Sequence, residues 1–288
     1  MGRESVGDVG FMDIGMTWAG FSMLAFSLLA AGVIVGFLSG LLGIGGGGIL
    51  VPVLYETFAA LGVDPAIRMH MAIGTSLAVI IPTSLRALMA HSAKGVVDWV
   101  AVRRIGPWIV IGVVLGIMFA DQVTGTTLKW VWVVFGTLFA AKMAFGRDTW
   151  RLGHDLPALP KLEIFSVLVG IISVLMSIGG AAFIVTFLTL YGRPILTAVA
   201  TSSAIGPLIA IPGAIGMMWA GWGHPGLPPL SLGFVSLLGA ALIVPSSVLV
   251  APVGVRLAHG VSRRKLELAF AVFLVVIVLR FLSSLILE

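Results

Sequence analysis

A glycine-broken hydrophobic phrase occurs twice in this chain, and few folds are open to a sequence that repeats such a phrase. GFLSGLLGIGGGGILVPVL, from Gly36 to Leu54, returns as GIISVLMSIGGAAFIVTFL, from Gly170 to Leu188, with Ser39 over Ser173 and Gly45-Gly46 over Gly179-Gly180. After a shift of register, Gly74-Thr75-Ser76 returns as Ala200-Thr201-Ser202. After another, Pro107 falls over Pro245, Gly116 over Gly254, Leu128 over Leu266 and Lys142 over Arg280. One half is therefore a duplicate of the other. In a membrane chain, matching glycine-interrupted apolar segments in two halves point to the substrate site of a transporter.

Composition places the chain in a membrane. Hydrophobic residues make up 59% and charged residues 10%, against roughly 25% charged in a soluble domain. At about 20 apolar residues per crossing, the 288 residues hold about eight to ten membrane elements and almost no extramembrane domain. An enzyme is not expected, since neither a catalytic loop domain nor a nucleophile and base in the core is visible. The chain has no cysteine, which removes disulfides, thiolate chemistry and Cys-ligated metal. The net charge of +5 sits in short loops between apolar runs, so it orients the protein rather than binding nucleic acid.

The apolar segments predict an all-α, polytopic helical protein with discontinuous or re-entrant helices. The expected division is an N-terminal segment over 1–19, a first repeat over 20–145, a linker over 146–162 and a second repeat over 163–288. The first apolar run is too long for a cleaved signal peptide and lacks a small-residue cleavage site. After it, helices are predicted at 46–60, 71–90, 105–120, 129–145, 163–177, 180–191, 196–220, 232–255 and 266–286. Lys94, Arg103 and Arg104, then Arg147, Arg151 and Lys161, then Arg193, then Arg256, Arg263, Arg264 and Lys265 mark the cytoplasmic loops. The alternate loops hold only Arg68 and Lys129 at their edges. Segment 71–90 then runs inward and 196–220 outward, which makes the halves inverted repeats with both termini periplasmic. Such repeats suit alternating access by rocking of one half against the other.

Four consecutive glycines, Gly45 to Gly48, exceed what close helix packing requires, because each costs about 1 kcal/mol relative to Ala inside a helix. A chain break is expected, with half-helices starting near Gly47 and Gly180 and aiming free N–H groups and a positive dipole end inward, which favours an anion. A nucleotide phosphate loop is not expected, since no Gly-Lys-Ser/Thr follows. The substrate-binding candidates are Ser39, Gly45, Gly46, Gly47, Thr75, Ser76, Ser173, Gly179, Gly180, Thr201, Ser202 and Ser203. The two Thr-Ser pairs are expected to meet at the pseudo-twofold axis beside the breaks, although Ser and Thr in membrane helices also bond their own carbonyls. Intramembrane charge is a functional candidate by default. Here it comprises Arg86, Lys142, Arg280 and the carboxylate Glu56. The five histidines lie in loops or at helix ends, so neither a metal site nor a cofactor is expected. Small residues along several helices leave a homodimer open.

Ser39, the Gly-Ile-Gly-Gly-Gly run, Val51-Pro52 and Gly74-Thr75-Ser76, with a second weaker copy, resemble the sulfite exporter TauE/SafE family. The resemblance spans nearly everything after residue 20. In the second copy Ser177 replaces Gly43, Ala181 and Ala182 replace glycines, and Thr186 replaces the proline. What the resemblance implies is an inner-membrane carrier that exports sulfite, thiosulfate or an organosulfonate by alternating access. The readings kept beside it are an organic-acid carrier, an importer and an anion channel. Moving one charge through 100 mV is worth about 2.3 kcal/mol, so a divalent anion leaving an inside-negative cell needs no coupled ion.

Overall fold

The computed structural model describes residues 18–42, 47–146, 152–153, 155–158, 160–258 and 263–287. Among them the chain forms α1 (Trp18–Leu42), α2 (Gly47–Ala60), α3 (Pro65–Ser92), α4 (Trp99–Gln122) and α5 (Gly125–Phe145). The second half supplies α6 (Lys161–Met176), α7 (Ala181–Leu190), α8 (Ile195–Ala220), α9 (Leu237–Ala258) and α10 (Arg263–Leu287). The predicted helices are all present. Their starts follow from capping: Asp64 accepts the Ala66 N–H at 2.8 Å with Pro65 in the first turn, and Asp98 accepts the Ala101 N–H at 3.0 Å. Such caps satisfy orphan donors of the first turn.

One element departs from expectation. The helix predicted from 232 begins at Leu237, because Ser231–Leu232 and Val235–Ser236 pair as a two-stranded antiparallel hairpin. Pro228 and Pro229 precede it and Gly233, at φ +53, makes its turn. The described part of the linker is also not simply solvated: the Leu152 N–H donates to the Leu190 carbonyl at 2.8 Å, and Leu156 is buried.

Helices α3, α4, α5, α8 and the Leu268–Ile286 stretch of α10 are long and apolar enough to cross a membrane. Helices α2 and α7 have 14 and 10 residues, roughly 21 and 15 Å at 1.5 Å per residue, short of a hydrocarbon core about 30 Å thick. Phe26, Leu138, Val272 and Leu279 stand exposed on the outer faces, as contact with lipid allows and contact with water would not. Inside, Trp132 and Tyr55 meet Phe281 edge to face with ring centres 5.8 and 5.4 Å apart.

Packing follows a reciprocal rule. Helix α1 lies on α9 and α6 on α4, while α3 pairs with α8 and α5 with α10. Four helices of each half thus pack chiefly on the other half, while α2 and α7 lie on α3 and α8 of their own. Glycines make this possible: a Cβ at Gly36 would run into the Ser247 backbone, and one at Gly112 into the Val167 carbonyl and Gly170. Small residues let helix backbones approach where no hydrophobic force exists between helices in lipid. Gly112→Leu is accordingly expected to cost about 1–3 kcal/mol or more by overpacking, read as a lower midpoint in thermal melting of the detergent-solubilised protein.

Candidate functional site

The glycine break of the second half is fully described. Helix α6 ends at Met176, and Ser177 adopts the left-handed region at φ 52, followed by Gly179 at φ 63 and Gly180 at φ 72. Three positive φ angles in four residues reverse the chain, and the two glycines take this conformation at no steric cost. Gly180 then heads α7 without any side-chain cap, so the first-turn N–H groups of α7 are left without a capping side chain.

The first described residues of α2 meet it. Gly47 opens α2, and a Cβ there would collide with the Ser177 carbonyl and with Ile80 of α3. Ile80 is also the nearest neighbour of Gly179, while Ile205 and Ile209 of α8 flank Gly180. The starting ends of α2 and α7 therefore converge between the middles of α3 and α8. Three hydroxyls gather at this point. Ser177 Oγ donates to Ser76 Oγ at 2.9 Å. Ser173 Oγ lies in the turn preceding Ser177, is fully buried, has no hydrogen-bond partner among the described residues, and faces the position a Gly180 Cβ would take at 3.6 Å. Positive helix ends and spare hydroxyls suit an oxyanion. Ser39 lies in α1, and its side chain, with Gly45 and Gly46, falls outside the described residues.

The threonines do something else. Thr75 Oγ1 accepts the Ser236 N–H at 2.9 Å, and Thr201 Oγ1 accepts the Asp98 N–H at 3.0 Å. Asp98 and Ser236 are the same position of the two repeats in the register that sets Pro107 over Pro245. Each caps its own helix, Asp98 through Ala101 N–H and Ser236 through Gly239 N–H. Each repeat's threonine thus holds the start of α9 or α4 in the other. Replacing Thr75 by valine removes the acceptor of a buried N–H, and replacing Thr201 that of a part-buried one. The expected loss is about 1–3 kcal/mol at Thr75 and smaller at Thr201, read by thermal melting.

The expected meeting of the two Thr-Ser pairs does not occur. A Cβ at Gly213 would meet Leu77 and one at Gly206 would meet Ser84, so α3 and α8 run antiparallel. Thr201 then stands opposite position 89, about 14 residues or roughly 21 Å along the helix from Thr75. The pairs flank the centre from opposite ends, and only Ser76 reaches a break. Ser202 and Ser203 donate to Val199 and Ala200 carbonyls at 2.8 and 2.6 Å within their own helix.

The four charges are also accounted for. Arg280 of α10 pairs with Glu56 of α2 through Nε–Oε1 at 2.9 Å and Nη2–Oε2 at 3.1 Å. Lys142 of α5 donates to Thr186 of α7 at 2.7 Å. Repeat-equivalent cations thus reach across to the short helix of the opposite half, while Arg86 is exposed on α3. Removing Arg280 strands a carboxylate, so Arg280→Leu should lower the melting midpoint more than the pair Glu56→Gln with Arg280→Leu, where no charge is left alone. Sequence reasoning did not put Ser177 in the site or see Asp98 and Ser236 as paired caps. The signals were present, in the serine standing over Gly43 and in the 138-residue spacing of the later repeat register.

Helices of spanning length around the meeting of the α2 and α7 starts define a polytopic helical membrane protein. The chain belongs to the sulfite exporter TauE/SafE family, whose model matches residues 28–281. It is 31% identical over 249 residues to a protein of Haemophilus influenzae described as "Probable membrane transporter protein", covering 86% of this chain and 94% of that one. A protein of Methanocaldococcus jannaschii with a similar description is 27% identical over 247 residues, covering 83% and 88%. No solved structure matches.

Proposed function

We propose that the protein exports a small sulfur oxyanion, sulfite or a close relative, by alternating access at the convergence of the α2 and α7 starts. The observation that carries this reading is the buried, partnerless hydroxyl of Ser173 beside the uncapped start of α7. A polar group buried without a partner costs stability, and an oxyanion seated at the turn would supply its acceptor. Ser76, which accepts from Ser177 and keeps its own hydrogen to donate, completes the donor set together with the glycine amides. Family membership and the descriptions of the two relatives support membrane transport as the activity.

The reciprocal packing supports two inverted repeats, 20–145 and 163–288, while the loop charges support a cytoplasmic linker and periplasmic termini, and the family resemblance supports the inner membrane. Glu56 is engaged by Arg280, which supports transport without a carboxylate proton carrier. Vesicles containing purified protein and loaded with sulfite should lose it faster when the interior is made negative, by the roughly 2.3 kcal/mol per charge per 100 mV available. Efflux that ignores the potential but follows an imposed proton gradient would replace this reading with a proton-coupled carrier. Saturation with slow turnover separates a carrier from a channel.

A further inference from the structure

Neutral groups surround the point where the α2 and α7 starts meet. Helices α7 and α8, which carry the turn of Gly180 and the flanking Ile205 and Ile209, contain no Lys, Arg, Asp or Glu. On the other elements that meet there, the nearest charged residues and histidines are Glu56 of α2, His70 and Arg86 of α3 and Glu163 of α6. Each stands at least about six residues along its helix from Gly47, Ser76, Ile80 or Ser173, roughly 9 Å or more of helix rise. Of the cations that reach across from the opposite half, Arg280 is paired with Glu56, and Lys142 bonds Thr186, further along α7 than Gly180. The positive charge facing the Ser173 hydroxyl is therefore that of the two helix starts. Each is equivalent to roughly half an elementary charge, so together they supply about one.

We infer that the site takes a monoanion, so that the sulfur species carried is hydrogensulfite or a sulfonate and not the sulfite or sulfate dianion. The inference rests on the proposed anion site and adds the charge of its occupant. The cost of leaving water grows with the square of the charge, so it is about four times larger for a dianion than for a monoanion of the same size. Attraction to the helix starts grows only in proportion to the charge, about twofold. One negative charge is matched by the two starts, and a second would stay buried and unmatched. Ser173 marks the place of the ligand independently, since its buried hydroxyl has no partner among the described residues. Ile205 and Ile209 beside Gly180 give the site an apolar side that suits the carbon of a sulfonate.

Sulfite itself makes the test possible. Hydrogensulfite loses its proton near neutral pH, whereas methanesulfonate stays a monoanion and sulfate a dianion on both sides of neutrality. Calorimetric titration of the purified protein with each of the three, at constant ionic strength and from mildly acidic to mildly alkaline pH, separates charge from shape. Sulfite should bind about tenfold more weakly for each pH unit above its second ionisation, because the species that binds becomes the minority form. Methanesulfonate should bind equally at every pH, and sulfate should not bind at concentrations that saturate methanesulfonate. Sulfite binding that holds or strengthens toward alkaline pH, or sulfate binding as well as methanesulfonate, would overturn the inference and leave the sulfur-anion site standing. A parallel weakening of methanesulfonate would put the titrating proton on a protein group such as His70 and would overturn it too. Failure of both sulfite and methanesulfonate to bind at any pH would instead refute the site itself.

Discussion

Alanine at position 47 is expected to abolish anion binding, and alanine at position 48 to leave it intact. The two glycines are adjacent at the start of α2 and differ in what a methyl group meets. At Gly47 it meets the Ser177 carbonyl, a backbone atom fixed by the left-handed turn; at Gly48 its nearest neighbours are Ile178 and Phe270 side-chain atoms at 3.7 Å, an ordinary contact. Gly47→Ala must therefore push the two breaks apart, at the cost of overpacking, about 1–3 kcal/mol or more. It also moves the α2 start away from the hydroxyls of the α6–α7 turn. Gly48→Ala gains helix propensity, up to about 1 kcal/mol. Calorimetric titration with sulfite, beside thermal melting, checks the pair. Equal behaviour of the two variants would mean that the breaks do not need to touch.

Removing the Ser173 hydroxyl is expected to raise or preserve the stability of the empty protein and to weaken its grip on the anion. Both signs follow from one fact. The hydroxyl is buried with no partner, so Ser173→Ala loses no hydrogen bond in the empty state and sheds a desolvation cost. With an oxyanion bound, the same change forfeits a hydrogen bond to a charged group, worth about 1.5–3 kcal/mol, or roughly ten- to a hundred-fold in affinity. Melting of the empty protein and titration of the loaded one read the two effects separately. A serine with only a packing role would leave affinity untouched.

Much of the architecture could be read from the chain because hydropathy and glycine act locally. Ten apolar runs became ten helices among the described residues, and the described chain break falls where glycines made a continuous helix costly, with α7 following Gly180; the break expected at Gly43 to Gly46 lies outside the described residues. Partnership was not legible in the same way. Duplication says that Thr75 and Thr201 are equivalent, but equivalence under a twofold axis fixes a distance only for residues on the axis. Leu77 against Gly213 and Ser84 against Gly206 set the centre of the α3–α8 pair beyond both threonines. The hairpin before α9 was missed because Leu230, Leu232, Phe234 and Val235 read as the apolar start of a helix. Its signal was Pro228-Pro229 with Gly233, residues that favour turns over helix starts. Lys142 and Arg280 were visible as charges within apolar segments, yet only three-dimensional packing assigns them to the opposite half's short helices.

The most direct test of the central claim is calorimetric titration of the purified parent protein with sulfite, thiosulfate, sulfoacetate, sulfate and acetate at constant ionic strength. The account predicts saturable binding of a sulfur oxyanion, strongest for sulfite or one close relative, with acetate well behind. No binding by any of the five, or acetate equal to sulfite, would contradict a sulfur-anion site at the meeting of the two breaks.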